Sequence, residues 1–245
     1  MMNIKKHLNT IIFSVAGLIA VMILSHTYSK RNQTNYSISV TGSGTKDFTS
    51  DLIVWRGSFT NKSFNLKQAY YNIKSDKDRV RKFLLAKGVE AKEMRFSAVN
   101  ISKDYDYTYD ENGNQHSQFS GYSLSQDVEI ESKRVDEIES ISREITDLIN
   151  FGVEFYSNDP AYYYTKLASL KIEMIAEATK DARSRAEKIA ENADAQLGYL
   201  KDAQMGVFQI TGQNSNEDYS WGGAFNTGSK MKTATISMKL NFSVR

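Results

Sequence analysis

The residues best equipped for chemistry fall in one polar stretch, Lys103–Asn114. Asp104, Asp106, Asp110, Glu111 and Asn112 offer hard oxygen ligands of the kind calcium takes. An EF-hand loop needs glycine at its sixth position, and the sixth residue from Asp104 is Tyr109. Asp104, Asp106 and Asp110 are therefore weak metal candidates, and a polar hairpin tip is the plainer reading. His116, beside this stretch, is the histidine available to the folded part, because His7 and His26 flank an apolar run. A Ser-His-Asp relay would have to use His116, and no Gly-x-Ser-x-Gly pattern accompanies it. The chain has 0 cysteines, which removes thiolate nucleophiles, thiolate metal sites and disulfides. Thr41-Gly42-Ser43-Gly44 lacks the Gly-Lys-Ser/Thr of a phosphate loop and reads as a turn or bulge. These residues predict no catalytic constellation and no cofactor.

Contact surfaces are better represented than chemistry. Tyr105, Tyr107 and Tyr109 alternate along an extended segment and so share one face. With nothing basic or metal-binding beside them, they suit a neighbouring protein surface better than a cofactor. The Gly/Asn/Ser-rich stretch from Gly212 to Lys230 carries Tyr219, Trp221 and Phe225. These aromatics either dock onto this domain, another subunit or a membrane interface, or ride on a loop with no partner. Asp181, Arg183 and Arg185 lie on the charged face of a long helix, where Asp181–Arg185 and Arg183–Glu187 have i,i+4 spacing. Such pairs normally mark a solvated face; the sharper reading is register against another subunit's helix.

The elements that position these residues follow from periodicity. Tyr36–Val40 alternates as a short strand, and Leu52–Thr60 as a second. Leu66, Ala69, Tyr70, Ile73, Val80, Phe83 and Leu84 form a helical stripe stopped by Gly88. A strand over about Met94–Ile101 and another over Tyr122–Glu131 flank the acidic stretch, with Asn112-Gly113 as the hairpin turn. A helix follows Ser132, with Val135, Ile138, Ile141, Ile145, Leu148 and Ile149 on its buried side, then a strand over Val153–Ser157. The order strand, helix, strand, strand, helix, strand predicts an α+β fold with a ferredoxin-like split βαβ core. A long alanine-rich helix is expected from Asp159-Pro160 to Gln196, stopped by Gly198. At that length it would run roughly 55 Å, against about 20 Å for a typical strand. The excess predicts an overhang that another subunit would cover. Two C-terminal strands, near Gln204–Ile210 and over Thr233–Val244, complete the fold.

The 245-residue chain carries a net charge of +2, too near neutral to suggest nucleic acid as a partner. Leu8–Leu24 is apolar and follows Lys5 and Lys6. Residues 1–31 read as a signal-anchor or a cleaved signal peptide, and residues 32–245 as the exported domain. Either reading puts the folded part outside the cytoplasmic membrane, anchored through residues 8–24 or soluble in the periplasm.

Several landmarks together resemble the SIMPL domain family of bacterial periplasmic and envelope proteins, often labelled oxidative-stress-defence or periplasmic immunogenic proteins. They are Val40-Thr41-Gly42-Ser43-Gly44 with Asp51, Tyr122–Val128, Asp181–Ala190 and the alternating strand Ile236–Val244. Ser50 departs from the pattern, where the family usually has proline. The resemblance implies a mixed sheet-and-helix domain, self-association in some members and no transferable catalytic residues. The function expected from all this is a non-enzymatic, envelope-anchored homo-oligomer acting as a scaffold or stress-protective interaction module. The alternative is a ligand- or divalent-metal-binding domain, hydrolytic in one form, that uses the 104–114 hairpin.

Overall fold

In the computed structural model, which describes residues 13–25, 27, 36–218 and 220–245, the chain is an α+β protein with its strands in two sheets. The elements, in chain order, are β1 (Ser37–Thr49), β2 (Leu52–Ser63), α1 (Leu66–Ala86), β3 (Met94–Phe96), β4 (Asn100–Tyr109), β5 (Gln115–Ser132) and α2 (Val135–Glu144). A 3₁₀ helix over Ile145–Phe151 continues α2. Next come β6 (Phe155–Ser157), β7 (Ala161–Tyr163), α3 (Leu167–Asn192), β8 (Leu197–Met205), β9 (Gln209–Gly212) and β10 (Met231–Val244). Residues 13–25 are helical as well.

The first sheet has the order β3-β5-β2-β6, with β4 also paired to β5 and β7 to β2. Its pairings are antiparallel. This is the order that two interleaved strand–helix–strand units produce, as the periodicity predicts. β2 turns Ile53, Trp55 and Phe59 to one side, and β5 turns Leu124, Val128 and Ile130 to the same core. α1 contributes Ala69, Ile73, Val80 and Leu84, and α2 contributes Val135, Ile138 and Ile141. Trp55 is fully buried, and its Nε1 donates to Ser157 Oγ at 3.0 Å, which satisfies the one polar atom of its ring. α1 ends as expected: Gly88 adopts φ 96°, while Gly88 N and Val89 N donate to Leu85 O and Leu84 O.

The second sheet has the order β1-β10-β8, with β9 paired to β10. β1 is one continuous strand, not a strand that breaks at Gly42–Gly44. The glycine at 44 is required by packing: a Cβ there would stand 2.7 Å from Met174 O of α3. The chain's contacts separate into two compact units. One comprises the segment ending at Gly42, Lys180–Gln204 and Met238–Arg245; the other comprises Ser43–Thr179 and Met205–Ser237. In the first unit Gln196 and Arg245 exchange backbone hydrogen bonds at 2.9 Å, and Val244 N donates to Tyr36 O.

The long helix differs from expectation at both ends. Asp159-Pro160 does not start it; Asn158 N donates to Arg56 O, and Ala161–Tyr163 pairs with Leu52–Val54 of β2. The helix ends at Asn192, with Asp194 at φ 51° and Ala195 N donating to Ala190 O, so Gly198 lies inside β8. Leu170, Met174, Ala178, Ala182, Ala186 and Ala190 are buried, a strict four-residue repeat that leaves Ile189 exposed. Each step of four advances the stripe by about 40°, so the buried line winds around the helix. At 26 residues α3 is roughly 39 Å long, whereas the 14 residues of β10 span roughly 47 Å. The overhang therefore disappears, and with it that argument for a second subunit. The strand expected over Met94–Ile101 is split into β3 and β4, and the one expected over Gln204–Ile210 into β8 and β9.

Candidate functional site: an aromatic arm and a clasped loop

β4 and the first part of β5 form a hairpin closed by the expected turn, with Gly113 at φ 80°. Asp110 closes its tip. Its Oδ1 accepts from Asn112 N and Asn114 N, both at 2.9 Å, and its Oδ2 accepts from Asn114 Nδ2 at 3.0 Å. These bonds, led by those from Asn114 with a smaller contribution from His116, pull the Asp110 carboxyl down to about 2. Lys62 pairs with Asp104 at 3.0 Å. Asp110 thus serves the hairpin turn itself, and Asp104 ties the hairpin to β2. Among the described residues no three carboxylate or imidazole side chains come together to hold a metal ion, so the geometry does not assemble Asp104, Asp106 and Asp110 into a site.

The tyrosine face is formed as the alternation predicts. Tyr105, Tyr107 and Tyr109 stand opposite Phe119, Ser117 and Gln115. A bulge between Asp104 and Tyr105 leaves Ser120 with no residue opposite it on β4, and Gly121 takes φ 135° there. Tyr105 meets Phe119 edge-on at 5.9 Å, and Phe119 meets Tyr122 at 5.2 Å and Phe64 at 6.3 Å. Tyr105, Tyr107, Tyr109 and Phe64 are all exposed. β2 pairs with β5 only as far as Tyr122, so beyond that point the hairpin is a two-stranded arm with both faces in solvent.

The Gly212–Lys230 loop is tied down by buried polar groups. Gln209 is 6% exposed; its Nε2 donates to Ser220 O at 2.6 Å and its Oε1 accepts from Ala224 N at 2.6 Å. Lys232 is 2% exposed, and its Nζ donates to Asn226 O at 2.6 Å and to Asn226 Oδ1 at 3.2 Å. Burial pushes the Lys232 ammonium down to about 8. Glu217 accepts from Gly212 N at 2.9 Å and also from Asn226 Nδ2. Phe225 docks on its own domain, 6.5 Å from Phe208, with Lys171 Nζ over both rings. Trp221 is 100% exposed, and Tyr219 lies outside the described residues. Gln209 and Lys232 were missed by sequence reasoning. Lys232 had a signal: it is in phase with Ala234 and Ile236, on the buried face of β10.

Asp181, Arg183 and Arg185 pair within their own helix. Arg185 Nε stands 3.0 Å from Asp181 Oδ2, and Arg183 Nε 2.8 Å from Glu187 Oε1. That arrangement fits the solvated face.

The fold and its surfaces define an α+β domain of antiparallel sheets whose distinguishing surface is aromatic. The chain belongs to the SIMPL family, described as a protein of unknown function (DUF541), whose profile matches residues 38–244. A comparison with curated proteins finds no match. Ser50, where the family usually has proline, uses the hydrogen that proline lacks: Ser50 N donates to Lys230 O at 2.9 Å.

Proposed function

We propose that this chain is a non-enzymatic, envelope-anchored or periplasmic domain that self-associates and works as a scaffold or stress-protective interaction module. The observation that carries the reading is the β4–β5 arm, exposed on both faces with Tyr105, Tyr107 and Tyr109 on one of them. Large aromatics in water are the surface type that protein contacts cover. A second copy is the proposed partner. Location in the envelope is supported by the apolar run at residues 8–24, which follows Lys5 and Lys6. Within that run, Phe13, Leu18, Met22 and Leu24 are exposed, although no helix among the described residues is long and apolar enough to cross a membrane.

Light scattering of residues 32–245 at micromolar concentration tests the proposal. The expected result is a mass of two or more copies that falls to one in Tyr105→Ser/Tyr107→Ser/Tyr109→Ser. A strict monomer in the unsubstituted protein would sink it.

A further inference from the structure

The two helices that cover the first sheet have opposite charge. α1 carries six basic residues and two acidic ones, whereas α2 carries four acidic residues and one basic. The acidic groups of α2 are mostly neutralised where they stand. Arg134 pairs with Glu137, Arg143 and Lys230 with Glu139, and Lys87 with Glu144. On α1, Asp76 is buried and holds Arg79 at 3.0 Å. Lys77 and Arg81 lie over the Phe96 ring at 5.3 and 5.2 Å. Lys74 and Lys82, two turns apart on the exposed side, make no ion pair among the described residues.

Apolar side chains accompany this charge. Ile149 is 67% exposed and Phe151 59% exposed, on the 3₁₀ helix that follows α2. Phe83, Ala86 and Phe151 line an apolar hollow of about 300 Å³ with Arg79 and Lys82. Tyr71 and Leu85 are exposed on α1 itself. Basic residues interleaved with exposed aromatic and aliphatic ones suit the headgroup level of an anionic bilayer, where ammonium groups meet phosphate and apolar tips enter the acyl boundary.

We propose that the exposed face of α1, with Phe151 beside it, is a seat for an anionic phospholipid bilayer. Charge complementarity selects the bilayer over a second copy, because the acidic helix a second copy would offer has already spent its carboxylates on its own cations. This goes beyond the reading above by assigning a face to the membrane, and it rests on that reading only for the envelope location.

The absence of cysteine makes a direct test available, since one introduced thiol is the only one labelled. An environment-sensitive dye is placed at Tyr71→Cys on the exposed side of α1 in the full chain, and at Ser140→Cys on α2 as the control. The full chain is mixed with vesicles of phosphatidylcholine alone or with added phosphatidylglycerol. The dye at 71 should shift to the blue with phosphatidylglycerol only, and molar salt should reverse the shift. The dye at 140 should not respond. In Lys74→Gln/Lys82→Gln, both exposed sites, the response should weaken by about fivefold per lysine. An equal response on neutral vesicles, a response at 140, or an unweakened response in the double variant overturns the proposal. A shift at 71 that needs no vesicles and grows with protein concentration assigns this face to a second copy and also overturns it. Light scattering of the same samples reports self-association separately, so the two proposals fail independently.

Discussion

The hairpin arm and the Gly212–Lys230 loop both expose aromatics from polar stretches, yet the structure treats them oppositely. The arm is regular in hydrogen bonding and projects away from any core; every residue of β4 except Asp104 is exposed. The loop is irregular, but buried side chains from neighbouring strands hold it. Regular backbone pairing therefore does not mean a segment belongs to the core, and glycine-rich composition does not mean it floats. What separates them is whether a buried polar group depends on the segment for its partner. Gln209 and Lys232 need the loop to avoid being left unpaired, whereas no buried group needs the arm.

The sharpest way to break this contrast is through Lys232. In the folded chain burial holds its ammonium down at about 8, against an ordinary value of 10.5. Between those values the unfolded chain carries the proton and the folded chain does not, so stability due to Lys232 rises with pH across that window. Below pH 8 both states are charged, and the charged form is the one that burial disfavours. Urea unfolding of wild type and Lys232→Met from pH 7 to 11 should give a stability difference that moves in favour of wild type. The total should be on the order of 3 kcal/mol. A difference that stays flat would show that the folded chain does not suppress this charge.

Gln209→Ala probes the same clasp from the other side. It leaves Ser220 O and Ala224 N without their partner in a half-buried place. A loss of about 2 kcal/mol in urea unfolding is expected, together with faster amide exchange across residues 213–230. If exchange there is unchanged, the loop is held by something other than Gln209.

The fold was largely legible because hydrophobic phase survives in sequence. β5 alternates as read, α1 stops at Gly88 as read, and the first sheet has the order that its element sequence implies. The errors share a cause, which is that the deciding contact is distant in the chain. Pro160 fits a first helical position locally, but Ala161–Tyr163 pairs with Leu52–Val54 instead. Gly42 and Gly44 look like a turn until the Met174 carbonyl is placed against Gly44. The overhang failed because the helix starts at Leu167, not Pro160, and because β10, whose length was readable as Thr233–Val244, is more than twice a typical strand length. As for the candidate surfaces, the tyrosine face was readable from alternation alone. The loop clasp was not, because only parity marks Lys232 as buried, and Gln209, opposite half-buried Thr235, is buried out of phase with its strand.

Asp110→Ala completes the comparison with the smallest effect. The Asp110 carboxylate accepts three hydrogen bonds from Asn112 and Asn114 and lies 3.3 Å from His116 Nε2, yet the arm makes no contribution to the buried core. Losing them should loosen only the tip: exchange of the Asn112 and Asn114 amides should speed up severalfold while the melting temperature stays put. Because the carboxyl is held at about 2, against an ordinary 3.8, the same local loosening should appear in wild type only as pH falls through that range. The turn should be fully present above pH 4. A drop in global melting temperature in this variant would show that the arm is coupled to the core, and the distinction between a free arm and a clasped loop would then be lost.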